Sequence, residues 1–365
     1  MNSYNGEDAF LLKDEIVEYK SEKDVVDRLE NEVRKELLQF LNCKSSGKIY
    51  NSVCLLSVMN ILHRNIIEGY HATLRDIYYG NPGLYKKQVN SNKAIALLTH
   101  LIKTPREFLN VVSTSKGRIR GPLAITGFEF ETDKNNSKKH IKLDFMSLFE
   151  NTGHSISPYI FKSMKSLKFN VYKEVKFVLI VEKDTIFQRL LEINFMKKFD
   201  NSCILITAKG FPDIPTRTLL YKLSMELPKN TLFFIICDYD CYGLSIAENY
   251  LIGGKSETWY DSGFTISKIR PLKIPPVSIL IESEILMEDS ISTISENEMS
   301  RIVSTKERFE SFPEIKEDIR SEWIHICKQM INDLKKFEID CIVNLEDWIY
   351  KFIEKEINNQ KNNIF

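Results

Sequence analysis

The stretch TLFFIICDYD, residues 231–240, runs from an unbroken apolar segment straight into two aspartates. Apolar residues in a row, without alternation, suit a strand buried on both faces. Two similar runs precede it: KFVLIVE (176–182), which also ends in an acid, and SCILITAKG (202–210). Helically spaced segments follow each run, namely TIFQRLLEINFMKKF (185–199), DIPTRTLLYKLSMEL (213–227) and CYGLSIAENYL (241–251). The runs start roughly 25 to 30 residues apart, the length of a strand–helix–strand unit. The pattern predicts an α/β domain with a parallel sheet covered by helices on both faces.

In an open sheet of this kind, ligands bind beyond the carboxyl ends of the strands. Glu182 stands at the end of the first strand, Asp238 and Asp240 at the end of the third. A spacing of two aims both aspartates the same way if the backbone stays extended. Gly243 then permits a sharp turn into the next helix. Three converging carboxylates repel one another, and a hard divalent cation with oxygen ligands, such as magnesium, relieves that repulsion. The same acids could instead cap the helices that follow. IGGKS (252–256) ends like a P-loop, but Asn249 stands where its first glycine belongs and no strand precedes it, so ATP binding is rejected. GxGxxG and HExxH are absent from the sequence, and no Ser/His/Asp arrangement can be argued.

Ahead of this domain the grammar is helical. Residues 22–42 carry Val25, Leu29, Val33, Leu37 and Leu41 at every fourth position, which predicts a helix that either packs on the body of the protein or docks on a partner. Helical patterns continue from Tyr50 to about Leu109. LAITGFEFET and HIKLDF then alternate apolar and polar around DKNNSKK, which reads as a β-hairpin with a solvated tip. Helices followed by a hairpin describe a winged-helix (CAP-like) domain, a helix-turn-helix variant. The resulting division is 1–49 as an N-terminal helical extension, 50–160 as the winged-helix domain and 161–365 as the parallel-sheet domain, the boundary lying between Ser155 and Lys173. Beyond Gly253 the signal weakens around Pro271, Pro275 and Pro276. From about Ser300 it is helical again, with Trp323, Ile326, Cys327, Met330, Ile331 and Leu334 on one face.

A chain of 365 residues with 43% hydrophobic and 27% charged residues has the composition of a globular protein of two or three domains. The apolar runs are too short to span a bilayer, and the N-terminus MNSYNGED lacks the form of a secretory signal. Seven cysteines without a CxxC suggest reduced thiols in an intracellular protein, and scattered histidines argue against zinc.

The formal net charge is zero, so any nucleic-acid surface must be local. From Tyr50 to Leu123 ten basic residues face three acidic ones. A segregated basic domain with helix-turn-helix grammar is the footprint of a duplex binder. SKGRIR is its densest part. Lys116, Arg118 and Arg120 could neutralise phosphate there, and the intervening glycine could let the backbone approach. Nothing suggests base-specific readout. LRDIYYGN (74–81) lies in the same domain. A phenol has a pKa near 10 and needs a nearby cation or base to attack anything at neutral pH. If the segment is helical, Arg75 and Tyr79 share a face, where the guanidinium would favour phenolate and stabilise charge on an attacked phosphate. Tyr78 would point elsewhere and pack. Alone, the pair could be mere packing. Beside a basic domain and an acidic strand end, it reads as part of an enzyme that breaks DNA by transesterification.

The chain resembles the meiotic double-strand-break family, sporulation protein eleven, and its relative the A subunit of topoisomerase VI. The resemblance is carried, in family order, by LRDIYY (74–79), STSKG (113–117), VEKDTIFQRL (181–190), KGFPDIPTR (209–217) and DYDCYG (238–243). It covers roughly Tyr50 to Leu251, and LYKKQ fits the meiotic branch. It implies a topoisomerase–primase (Toprim), Rossmann-like second domain in which Glu182, Asp238 and Asp240 bind Mg2+. It further implies Tyr79 as the nucleophile, assisted by Arg75, leaving a 5′-phosphotyrosyl link and a free 3′-hydroxyl. The working unit would be a homodimer on double-stranded DNA, each site pairing one protomer's tyrosine with the other's metal. A topoisomerase VI B-like subunit would be a partner, with helix 25–41 a candidate docking element, and the location would be nuclear. Cys241 departs from the family, where proline commonly follows the second aspartate and fixes the turn. No ligand is lost by the change.

Three readings remain open: the DNA-breaking enzyme of meiotic recombination, a topoisomerase VI-type A subunit that reseals what it cuts, and a catalytically silent DNA-binding scaffold on the same fold. Retention of Tyr79, Arg75 and all three acids argues against the scaffold.

Overall fold

A computed structural model describes residues 22–42, 45–104, 106–112, 114–132, 138–146, 152–158, 160, 168–252, 272–273, 290–312 and 317–362. The hairpin tip, the prolines after Gly253 and most of IGGKS lie outside these residues. The described chain folds as two compact units that divide at Ser115/Lys116.

The first unit is helical: α1 (Glu22–Leu41), α2 (Ser46–Glu68), α3 (Leu74–Gly80), α4 (Pro82–Tyr85) and α5 (Gln88–Leu101). Helix α2 buries Cys54, Leu55, Val58, Met59, Leu62 and Ile66, a stripe at three- and four-residue steps. Thr73 caps α3 through a reciprocal pair with Asp76: Asp76 N donates to Thr73 Oγ1 (3.2 Å), and Thr73 N donates to the Asp76 carboxylate (2.8 Å). Pro82 opens α4, and the Asn81 side chain accepts from Leu84 N. Tyr85 is fully buried and donates to Ser57 Oγ (3.0 Å).

Helix α1 belongs to this same core rather than to a separate extension, because Val25 and Leu29 pack with α2 and α5 residues. Its stripe does not stay buried. Leu37 and Leu41 are exposed, while Glu32 and Glu36 turn inward. A four-residue step overshoots the 3.6-residue turn by about 40°, so a strict every-fourth stripe winds off the packed face within four steps.

The second unit contains β1 (Arg118–Arg120), β2 (Leu123–Thr132), β3 (Lys138–Asp144), β4 (His154–Ser155), β5 (Lys168–Val171), β6 (Phe177–Val181), α6 (Asp184–Glu192), β7 (Cys203–Thr207), α7 (Ile214–Glu226), β8 (Leu232–Ile236) and α8 (Cys241–Ile252). It continues with β9 (Leu272–Lys273), β10 (Ser292–Thr293), α9 (Glu296–Ser311), α10 (Glu317–Asp333), β11 (Lys335–Lys336) and α11 (Leu345–Asn362). One sheet runs in the order β4-β1-β7-β6-β8-β9. Strands β6 to β9 pair in parallel, whereas β1 joins β7 antiparallel. Every residue of β6 and β7 is buried, as the unbroken apolar runs require. Trp323 of α10 is buried and stacks on Phe309, and Cys327 and Met330 are buried beside it, but Leu334 is exposed.

The expected hairpin forms, with β2 pairing β3 and also β5 in a three-stranded sheet. It lies in the second unit, however, not with the helices of the first. The boundary expected between Ser155 and Lys173 therefore falls earlier, because β1 and β4 extend the second unit's sheet, β1 pairing β7 and β4 pairing β1. A three-residue strand such as RIR carries too little pattern to reveal that pairing. Among the described residues no helix is long and apolar enough to cross a membrane.

Candidate active site

The acidic end of the sheet is built by β6 and β8. Their parallel register sets Val181 beside Ile236, so the residues that follow emerge together. Asp238 N donates to Glu182 Oε2 (2.9 Å). Asp238 Oδ1 accepts from Ile339 N (2.8 Å), and its Oδ2 lies 3.1 Å from Lys183 Nζ. Tyr239 points into the core against Phe337, with ring centroids 5.1 Å apart. Asp238 and Asp240 alternate with it, as a spacing of two in extended chain demands. Asp240 Oδ1 accepts from Tyr242 N (2.9 Å) and Gly243 N (2.7 Å), so this aspartate caps α8. Gly243 is obligatory here, since a Cβ would stand 2.0 Å from the Asp238 carbonyl oxygen.

Burial pushes the Glu182 carboxyl up to about 7, and the charges of Asp238 and Asp240 add to the effect. Asp238 is raised too, chiefly by burial. The donor chemistry suits a hard divalent cation: carboxylate oxygens crowded at one end of the sheet. The expected convergence of three acids is met only in part. Glu182 and Asp238 are in contact, while Asp240 acts on Glu182 through its charge. Among the described residues no cluster of three or more His, Cys, Asp or Glu side chains has the geometry to enclose an ion.

The phenol side belongs to the first unit. Tyr79 is 68% exposed, and its hydroxyl has no hydrogen-bond partner among the described residues. Arg75, one turn earlier on α3, is exposed as well. Tyr78 is half-buried, packs on the first unit's core, and directs its hydroxyl at Lys86 O (3.5 Å).

The three residues expected to contact DNA are otherwise engaged. Arg118 donates to Asp184 Oδ1 (2.7 Å) and Gln188 Oε1 (2.9 Å) and lies over the Phe187 ring. Arg120 is buried. Lys116 Nζ donates to Phe211 O (2.8 Å). Gly117 packs against α7, where a Cβ would meet Thr216 Oγ1 at 2.1 Å. SKGRIR thus runs into a packed strand between β4 and β7 rather than forming a free basic loop. Charge counting along the chain could not foresee partners such as Asp184, which lies 66 positions away.

Sequence reading also missed Lys183 and the segment Phe337–Asp340, which together hold Asp238. That segment sits in a stretch that reads as uniformly helical. Only the acid–apolar alternation of FEID hinted otherwise.

Comparison with known proteins bears on both halves. The family defined by the Toprim domain of Spo11 and of the topoisomerase 6 A chain matches residues 177–357, which hold Glu182, Asp238 and Asp240. The family described as "Type IIB DNA topoisomerase" matches residues 51–111, which hold Arg75 and Tyr79. The chain belongs to the Spo11/topoisomerase 6 A family. Among its relatives is "Meiotic recombination protein SPO11" of Mus musculus, 30% identical over 256 residues, 70% of this chain and 59% of that one. "Meiotic recombination protein SPO11-2" of Oryza sativa subsp. japonica is 30% identical over 62% of this chain and 57% of its own. The A chain of DNA topoisomerase 6 from Arabidopsis thaliana is 28% identical over 64% of this chain and 49% of its own. The chain thus spans 49% to 59% of the length of these three relatives. The second unit's parallel sheet is the Toprim domain of this family.

Proposed function

We propose that the chain is a DNA-cleaving tyrosine transesterase that makes the double-strand breaks of meiotic recombination. The observation that carries this is the exposed side chain of Tyr79, its hydroxyl unpartnered among the described residues, one helical turn after Arg75 and within a type IIB topoisomerase match. The Tyr79 oxygen attacks a backbone phosphorus. A phosphorus–oxygen bond to the phenol forms as the bond to the 3′ oxygen breaks. The phenol loses its proton and the leaving oxygen gains one, giving a 5′-phosphotyrosyl end and a 3′-hydroxyl. One ester replaces another, so the step needs no ATP. Arg75 stabilises charge on the attacked phosphate.

Glu182, Asp238 and Asp240 would hold a magnesium ion, which when bound supplies positive charge against the phosphate oxygens. Their crowding at one end of the sheet and the raised carboxyl pKa values of Glu182 and Asp238 support this assignment. By family resemblance the active form is a homodimer on double-stranded DNA, with each site shared between protomers and the helices of the first unit serving as a DNA binder. A topoisomerase VI B-like subunit would dock on the exposed Leu37, Leu38 and Leu41 of α1. The names of the meiotic relatives support a nuclear location.

The test is an adduct assay in the native cell. Tagged protein is immunoprecipitated and any attached DNA is extended with labelled nucleotide at its 3′ end. Label is expected in wild type and Tyr78→Phe and absent in Tyr79→Phe. Wild-type protein bound to chromatin without label would contradict the proposal and favour the silent scaffold.

A further inference from the structure

Lys183 follows Glu182 directly at the carboxyl end of β6, yet its side chain does not run out to solvent. It is 21% exposed, and its ammonium lies 2.8 Å from Glu338 Oε2, 2.8 Å from Asp340 Oδ2 and 3.1 Å from Asp238 Oδ2. Three carboxylate oxygens from separate side chains close around one cation. Two of them come from a segment that the backbone fixes in place. Tyr239 and Phe337 exchange main-chain hydrogen bonds in both directions (3.0 and 3.1 Å), and Ile339 N donates to Asp238 Oδ1. The backbone of Glu338 and Asp340 is therefore held beside Asp238 by contacts that do not involve the lysine. Burial opposes the lysine's charge, but the hydrogen bonds to Asp340, Glu338 and Asp238 hold its pKa above the ordinary lysine value.

Asp238 thus belongs to two sets of acids. One set is Glu182 with Asp240: Asp238 N donates to Glu182 Oε2, and Asp240 follows two residues on and caps α8. The other is Glu338 with Asp340. A carboxylate shared between two acidic sets is how two-ion centres hold their cations, about 3.5–4 Å apart. Here one set already contains a cation, and that cation is tethered to the chain.

We propose that Lys183 is a positioning residue that takes the place of a second divalent cation beside Asp238. The centre then carries a single exchangeable ion, and the Glu338–Asp340 set is closed to metal. This rests on the reading of Glu182, Asp238 and Asp240 as metal ligands. Without the ammonium, Asp340 keeps Arg189 at 3.6 Å, itself also paired with Glu346. Asp238 and Glu338 would be left without an ion-pair partner among the described residues, and an added ion would supply the counter-charge.

The test titrates the full chain with Mn2+, reading free ion by electron paramagnetic resonance and checking each variant's fold by circular dichroism. Wild type and Lys183→Arg are expected to bind one ion per chain. Lys183→Met is expected to gain a second, and Lys183→Met/Glu338→Gln/Asp340→Asn to lose it again. A second ion in wild type or in Lys183→Arg, or a single ion in folded Lys183→Met, overturns the inference. The first two results decide it even if Lys183→Met does not fold. Failure of the underlying reading looks different: wild type binds no Mn2+, or Glu182→Gln/Asp238→Asn binds as wild type does.

Discussion

Tyr78 and Tyr79 are neighbours in sequence with rings 5.2 Å apart, but only Tyr79 leaves its hydroxyl without a hydrogen-bond partner among the described residues. Removing the Tyr79 oxygen takes away an exposed, unpaired group, so Tyr79→Phe should change stability by no more than about 0.5 kcal/mol while abolishing the covalent adduct. Thermal unfolding beside the adduct assay checks both halves. Arg75→Ala should lower adduct formation about 10²- to 10³-fold, the range for loss of one preorganised charge-stabilising donor, with Lys a partial substitute. Single-turnover cleavage measures it. Gly243→Ala should cost about 1–3 kcal/mol, because its Cβ meets the Asp238 carbonyl and the turn must shift. These residues were legible because their chemistry is local: a cation four positions before a phenol, acids after an apolar run. Arg118 and Arg120 were misread because their environment is made by distant chain.

At the scale of elements, burial sorts what periodicity alone cannot. Leu179 of β6 is fully buried between layers, and Leu179→Ala should cost about 2–5 kcal/mol in denaturant unfolding. Leu41→Ala, at the exposed end of α1, should change stability by less than about 0.5 kcal/mol. The strands of the parallel sheet were readable because burial on both faces leaves an unbroken apolar signature. The short antiparallel strands β1 and β4 were not, since two or three residues carry no period. Helix α9 adds a pH-dependent term. Glu298 accepts from Ser295 N (2.9 Å) and from Lys336 Nζ (2.5 Å), which with the Ser295 hydroxyl hold its carboxyl at about 2, below the ordinary 4.5. The folded value is the lower one, so its stabilisation is full above about pH 4.5 and is lost as pH falls towards 2. Glu298→Gln should remove that part of the acid destabilisation, and urea midpoints across this window would show it.

Across the whole molecule, one compact unit holds the phenol and the other holds the acids. Domain order was readable from the change of period near residue 123, but the dividing point was not. A strand lent to a sheet from upstream leaves no mark in composition. The link between Asp238 and Ile339, 101 positions apart, was invisible for the same reason. If each site is shared between protomers, co-expressing Tyr79→Phe with Glu182→Gln should restore adducts that neither variant forms alone. Mixed dimers would then keep one intact site and cut one strand. Absence of adducts in the mixture would place tyrosine and acids of a site in the same protomer.

The central claim is that Tyr79 supplies the oxygen of the covalent link, and mass spectrometry of the adduct tests it most directly. Cleavage after Arg75 and Lys86 yields a peptide containing Tyr78, Tyr79 and Tyr85. After nuclease digestion, fragmentation assigns the residual nucleotide to one of them. The account predicts the phosphate on Tyr79. A phosphate on Tyr78 or Tyr85 would contradict it.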